Sequence, residues 1–354
     1  MANRDQDQSS GDGSTNLQAG RDVHYHGMTV AEAREVALDV FRANALELQG
    51  IAQSVAFARA EEITNDFLTT LNEQNPANAD RLSDPDMQSV LFHAQKEYAR
   101  SGEEDLKVAL VDLLASRADI EDRELRALAI NEAIVSAPKL TERQRRAVAW
   151  IFYLKYTRDT GSGTIPDFYT KFEGVVKALG TDVAGRRADY QHMEYVGVGS
   201  LSLGQRSFSN CLYGGSEALF TRGFDEGSVA PEVVTRLRAV NLLIPCLRDD
   251  QKLQIAELAA EALPSRLESL GLGDIKNQVV PLMQLGRMND DEITAEAILR
   301  VPISKPLQEA WDSDVGLRNF TLTSVGLALG HAYWSRLTGG VAPLSIWIET
   351  DEVA

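Results

Sequence analysis

Apolar positions in the first part of the chain recur every three to four residues. Val30, Ala33, Ala37, Val40, Phe41, Leu48, Ile51, Ala52, Val55, Ile63, Phe67 and Leu71 follow this spacing, which places them along one helix face. Thr29-Val30-Ala31-Glu32 opens the run as a capping box, in which a hydroxyl and a carboxylate satisfy the first free amides. No proline follows until Pro76. The pattern predicts a long N-terminal helix of about 45 residues, about 65 Å at full length, or two helices broken near Gly50. The period is closer to 3.6 than to a strict heptad, which favours a bundle spine over a coiled coil.

Further helices are punctuated in the same way. Ser83-Asp84-Pro85 opens one that Gly102 closes, and residues 103–118 and 121–137 read as two more, the second ending before Pro138. Thr141-Glu142-Arg143-Gln144 is a second capping box, leading into Ala147-Val148-Ala149-Trp150-Ile151-Phe152-Tyr153-Leu154. A helix apolar on every side is buried on every side, and this one is too short to cross a bilayer. Gly161-Ser162-Gly163 is the best internal boundary, followed by helical patterns over 166–179 and 182–195. Seven glycines between 197 and 227 mark a glycine-rich loop or short hairpin. Helices resume over 230–242, 249–262, 264–270, 274–286, 291–300 and 304–312. Near the C-terminus, Phe320 and Leu322 alternate as in a strand, Thr323 can cap a helix running to Leu337, and Pro343 to Ile348 reads as a second strand. The predicted fold is mainly α: a multi-helix bundle with a long N-terminal helix, a glycine-rich loop region and a small C-terminal strand–helix–strand unit, βαβ or winged-helix-like. The corresponding division is a tail with a short β-forming motif over 1–28, a helical domain over 29–160, and a second mainly helical domain over 164–354.

The segment ahead of the first capping box differs in kind. Residues 1–15 are polar with almost no apolar content, too little burial to offset ordering entropy, so disorder is expected there. From 16 to 26, Leu17, Ala19, Val23 and Tyr25 occupy one face while Asn16, Gln18, Asp22, His24 and His26 occupy the other, with Gly20 interrupting. Two short strands with a bend fit this pattern. Stacked copies would pair backbones, ladder their amide side chains and bury the apolar face; the segment could equally add a strand to a sheet edge. Leu17, Gln18, Ala19, Asp22, Val23 and Tyr25 are therefore the candidate self-association residues, although Asp22 would stack like charges.

Composition narrows the classes of function. The chain has 354 residues, 44% hydrophobic and 25% charged, and a net charge of −17. Such a field repels phosphate backbones and disfavours sequence-independent nucleic-acid binding. Cys211 and Cys246 have neither paired spacing nor a histidine motif beside them, which fits a reducing compartment better than a disulfide scaffold or zinc site. No apolar run follows a basic start and none is long enough to span a membrane. A cytoplasmic location is expected.

Chemical motifs are sparse. Asp22-x-His24-x-His26 could place three ligands on one strand face, but nothing nearby would orient the rings, and a solvated polar face is the reading adopted. Asp189, His192 and Glu194 form an acid–imidazole cluster beside the glycine-rich loop, where a catalytic pocket would be sought first; a surface hydrogen bond accounts for it equally. Gly197-Val198-Gly199 lacks the third glycine of a dinucleotide fingerprint, and no Walker A, nucleophile-elbow or H-E-x-x-H sequence occurs. Leu219, Phe220 and Phe224 could instead make that loop a docking surface. Cys211 and Ser216 have no evident base. Arg143, Arg145 and Arg146 form the densest basic cluster and Arg186-Arg187 a second; the first reads as a solvated helix turn, with phosphate contact the sharper alternative. His93 and His331 lack ligand-spaced companions. No catalytic, cofactor or metal residue is assigned.

The string Asn16-Leu17-Gln18-Ala19-Gly20-Arg21-Asp22-Val23 resembles short N-terminal tags on bacterial proteins with helical bodies, some of them related to defence or abortive infection. It is also loosely similar to β-arch amyloid signalling motifs. Leu322 to Gly326 and Leu344 to Ile348 look like the end of the same group. The resemblance implies a bacterial stress or phage-defence setting. The expected function is a non-enzymatic cytoplasmic interaction or signalling protein, associating with itself or a partner protein through 16–26. The alternatives are an enzyme with its site near Asp189, His192, Glu194 and the 197–227 loop, and a DNA-binding regulator using the C-terminal helix. That helix offers only His331 and Arg336 as substantial donors.

Overall fold

The computed structural model describes residues 29–44, 50–74, 76–121, 124–159, 161–313, 315–338 and 342–349. Helix α1 (Val30–Asn44) starts at the expected box, with the Thr29 amide donating to Glu32 Oε2 at 2.8 Å and the Glu32 amide to Thr29 Oγ1 at 3.2 Å. The long N-terminal helix is not formed. A second helix, α2 (Ile51–Gln74), begins after Gly50, whose φ of 62° lies in the left-handed region. The two helices pack on each other, joining Ala33 and Ala37 to the core that holds Ile63 and Phe67. A straight helix of that length would have left its apolar stripe uncovered.

Helix α3 (Pro85–Ser101) has Asp84 as its cap, with Gly102 in left-handed geometry at its end. Helices α4 (Glu104–Ala118) and α5 (Leu125–Ser136) follow. Helix α6 (Glu142–Ile151) carries the complete Thr141/Gln144 capping box and continues into a π-helical turn, Phe152–Tyr156. Ala147 to Phe152 are all fully buried, as a helix apolar on every side requires. Trp150 satisfies its buried indole N–H on Gly180 O at 2.8 Å.

The second half contains α7 (Ile165–Leu179), α8 (Arg187–Val196), β1 (Gly199–Leu201), α9 (Phe208–Tyr213), α10 (Pro231–Ala239), β2 (Leu243–Pro245), β3 (Leu253–Ile255), α11 (Leu263–Ser269), α12 (Lys276–Val279), α13 (Asp290–Arg300), α14 (Lys305–Asp312), β4 (Phe320–Leu322), α15 (Ser324–Thr338) and α16 (Ser345–Ile348). The fold is mainly α: among the described residues the strands form two antiparallel pairs, β1 with β4 and β2 with β3.

Three expectations are corrected here. The helix expected over 249–262 is instead a turn followed by β3. Leu253 exchanges both backbone hydrogen bonds with Phe224 at 2.9 Å, and Ile255 is buried opposite Leu243; pairing with distant residues outweighs local helical spacing. The expected strand over 343–348 is a single helical turn. Leu344 and Trp347, three residues apart, both join the main core, which alternation cannot achieve. No βαβ or winged-helix unit results, because β4 takes its partner from the glycine-rich segment, with Gly199 opposite Leu322.

One apolar core runs from Ala33 to Leu344, and a smaller one gathers Phe224 through Met283. The main core is not divided at Gly161–Gly163, because α15 returns to pack on α4, α5 and α6. Two glycines permit that approach: a Cβ at Gly326 would stand 1.9 Å from Val198 O, and one at Gly330 would stand 2.5 Å from Phe152 Cβ.

Arg145 ties these helices together. Its guanidinium is buried and donates to Leu140 O at 2.5 Å, to Asp105 Oδ2 at 3.2 Å and Oδ1 at 3.1 Å, and to Glu103 Oε2. Tyr333 on α15 donates its hydroxyl to the same Asp105 at 3.1 Å. Burial disfavours the cation, yet these neighbours hold its pKa above the ordinary arginine value. Removing one partner of such a set leaves the others unpaired. Arg145→Met is therefore expected to lower unfolding stability by about 3 kcal/mol, against about 1 kcal/mol for Tyr333→Phe. Gly330→Ala should cost about 2 kcal/mol through overpacking against Phe152. Urea titrations would check the ranking; an Arg145 loss no larger than that of Tyr333→Phe would contradict the assignment.

Candidate functional site at the π-helical turn

The turn after α6 inserts one residue too many into a helical ladder, which frees carbonyls and commonly marks functional positions. Here Tyr153 O accepts from Thr157 Oγ1 at 2.6 Å and Tyr156 O accepts from Trp347 Nε1 at 2.7 Å. Trp347 stands against Phe152 at 5.0 Å between ring centroids. The short helix α16 therefore completes the turn from outside.

Beyond the turn the chain runs past a cavity of about 490 Å³. Tyr153, Thr157, Arg158 and Asp159 form one wall, Lys171, Gly174, Val175 and Ala178 of α7 another, and Trp334 of α15 the end. Asp159 is already engaged: Oδ1 accepts the Gly161 amide at 2.9 Å and Oδ2 accepts the Ser162 hydroxyl. Lys171 Nζ lies 3.6 Å from Asp159 and 3.3 Å from Asp167, while Arg158 reaches Glu261 at 3.0 Å. Burial, then the Asp159 charge, pushes the Tyr153 hydroxyl well above its ordinary pKa, so it offers a neutral O–H. The cations at its edge are thus paired with carboxylates, and the lining contains no paired nucleophile and base.

The acid–imidazole cluster has other duties. Asp189 caps α8, accepting the Arg186 amide at 3.1 Å and its Nε at 3.2 Å. Partial burial opposes ionisation there, but those Arg186 contacts hold the carboxyl below its usual range. His192 Nδ1 lies 3.1 Å from Gln144 Oε1, and Glu194 Oε1 accepts the Leu201 amide at 2.6 Å. Each side chain has a separate partner, and the three do not converge.

Other expectations change more. Leu219, Phe220 and Phe224 are buried and offer no docking surface; the exposed apolar side chains beside that loop are Tyr195 and Leu203. Arg145 is buried rather than solvated. Arg143 pairs with Asp182 at 2.8 Å, and Arg146 pairs with Glu142 and donates to Asp182 O at 2.8 Å. Cys211 and Cys246 are buried and unpaired in any disulfide, with burial pushing the Cys211 thiol up to about 12. Ser216 is buried. His93 and His331 are both held toward the neutral form by burial, and His331 lies 3.0 Å from Ala342 O. Helix α15 buries Leu327, Ala328, Leu329 and Ala332 in the core, and the side chain of Arg336 lies outside the described residues. Among the described residues no group of three His, Cys, Asp or Glu could hold a metal ion. Leu17, Gln18, Ala19, Asp22, Val23, Tyr25 and the Asp22/His24/His26 set lie outside the described residues.

A protein-family model matches residues 27–348. That span starts two residues before Thr29 and stops at the last residue of α16. No curated protein and no solved structure matches the chain. No described helix is long and apolar enough to cross a membrane.

Lys155, inside the π-helical turn, donates to Arg318 O at 2.9 Å and Phe320 O at 2.7 Å and stands 5.6 Å over the Trp311 ring. Burial pulls its pKa down to about 8. Because the folded value lies below the unfolded one, the unfolded chain binds more protons between them, and stability rises with pH in that window. Relative to Lys155→Met, the native chain should gain roughly 2 kcal/mol between about pH 8 and 10. Parallel urea titrations across that range would detect it, and a pH-independent difference would contradict it.

Proposed function

Because the chain belongs to the family whose model spans residues 27–348, we propose that this span is a self-contained helical body. In this reading the segment 16–26 carries its associations, and the protein acts as a non-enzymatic interaction or signalling protein. The observation that supports it is the closure of the body at Thr29. There Thr29 and Glu32 satisfy each other's amides through their side chains, and Ala33 is the first core residue among the described residues. In this reading the residues before the capping box serve a contact outside that core. Leu17, Ala19, Val23 and Tyr25 supply the apolar face of a β-forming element, with Gln18 and Asp22 on its polar face. A bacterial stress or phage-defence setting follows from the resemblance of the tag, and a cytoplasmic location from the composition. The enzyme alternative has less support, since Asp189, His192 and Glu194 are each committed to a different structural hydrogen bond.

Size-exclusion chromatography with light scattering tests this directly. The full chain is expected to populate assemblies larger than those of a chain lacking residues 1–27, with helical content of the body unchanged by circular dichroism. Val23→Asp or Tyr25→Asp should reproduce the deletion by placing a charge on the apolar face. Identical mass distributions for the full and shortened chains would refute self-association through this segment.

A further inference from the structure

The two apolar cores meet the chain at one narrow place. Phe220 and Met288 belong to the main core, whereas Phe224 and Met283 belong to the smaller one. The chain thus leaves the main core after Phe220, builds α10, β2, β3, α11 and α12, and re-enters at Met288. Its two passages lie side by side. The Met288 amide donates to Phe220 O at 2.9 Å, Thr221 bridges Arg287 in antiparallel register, and the Arg222 amide donates to Gly286 O at 2.7 Å. Gly223 and Gly286 both have a φ of 71°, and a Cβ on Gly286 would stand 2.2 Å from Gly223 O. Glycine on both passages lets the backbones cross this closely, which leaves a neck two strands wide.

Outside the neck, residues 224–285 are held to the body mainly by polar contacts. Arg248 donates from Nε and Nη2 to Leu219 O at 2.9 and 2.7 Å and lies 2.8 Å from Glu296. The Ala218 amide donates to Leu258 O at 3.1 Å, the Ala260 amide donates to Glu217 Oε2 at 3.1 Å, and Arg158 pairs with Glu261 at 3.0 Å. Among the described residues, Leu258 is the one apolar side chain of 224–285 that packs on the main core. The apolar side chains of the smaller core all come from 224–285 itself. Separated polar groups regain water, and little apolar area is exposed, so parting this junction costs far less than opening either core. Gaps of about 270 and 400 Å³ already flank it, one between residues 161–163 and the β2–β3 hairpin, the other between Met288 and Lys252.

We infer that residues 224–285 are an inserted module that swings as a unit on the Gly223/Gly286 neck, opening and closing its polar junction with the body while both cores stay folded. This motion is independent of what residues 16–26 contact.

Hydrogen exchange and single-molecule energy transfer on the full chain test it. The Ala218 amide, bonded across the junction, should exchange at least about tenfold faster than the Leu253 amide inside the module and the Val148 amide in α6. Dyes on Lys177→Cys and Lys276→Cys should report two distances, since Lys276 travels with the module and Lys177 stays on α7; Cys211 and Cys246 are buried and remain unlabelled. Arg248→Met should enlarge the open population and speed exchange at Ala218 by about tenfold or more, leaving Leu253 and Val148 unchanged. Glu261→Gln carries the same test if Arg248→Met does not fold. Exchange at Ala218 as slow as at Val148 would overturn the inference. A single distance in both the native chain and the folded variant would overturn it as well, because fast exchange at Ala218 would then be local fraying. So would acceleration of Leu253 together with Ala218, which would mean that the module unfolds instead of moving.

Discussion

Withdrawing a guanidinium from water costs several kcal/mol unless acceptors surround it, and Arg145 imposes that requirement on the centre of this protein. Its acceptors come from Leu140 just ahead of α6 and from Glu103 and Asp105 at the start of α4. The same two carboxylates sit where a helix N-terminus favours negative charge. Tyr333 then adds α15 through Asp105. One side chain thus fixes the first turn of α4 against the first turn of α6, and α15 must lie alongside for the hydroxyl to reach. Residues more than two hundred positions apart are thereby held within one core, which is why the Gly161–Gly163 segment does not separate two packed bodies.

The return of α15 has a second consequence. Gly326 and Gly330 let its backbone approach Val198 and Phe152, which brings Trp334 to the end of the π-helical turn. That turn cannot satisfy all its carbonyls internally, and Trp347 from α16 supplies a donor to Tyr156 O. Packing at the C-terminus and the opening beside α7 are therefore linked: Trp347, which completes the turn, packs on Trp334, which lines the cavity.

Under the proposed function, association rests with the segment ahead of Thr29, while the body starts at its own capping box. In the body, the cations beside the π-helical turn are paired, Arg158 with Glu261 and Lys171 with Asp167 and Asp159.

Much of the helical framework was legible in the chain itself. The capping boxes at Thr29 and Thr141, the glycine stop at Gly102 and the all-apolar run through Trp150 are signals whose energetics lie within one or two turns, so no distant partner is needed to read them. The break near Gly50 was visible as an option, but only packing of α1 on α2 decided it. Leu253 and Ile255 lay in a helical pattern and Leu344 to Ile348 in a strand pattern, and both were settled by Phe224, Leu243 and Phe152 far away in sequence. Arg145 looked like one of three solvated arginines, because burial is a property of what covers a residue and not of the residue. The cavity left no local trace in Arg158, Lys171 or Trp334. Caps, helix faces and charge are short-range properties and belong to the sequence. Strand partners, the buried ion cluster and the cavity depend on which distant surfaces meet, and only the tertiary structure decides that.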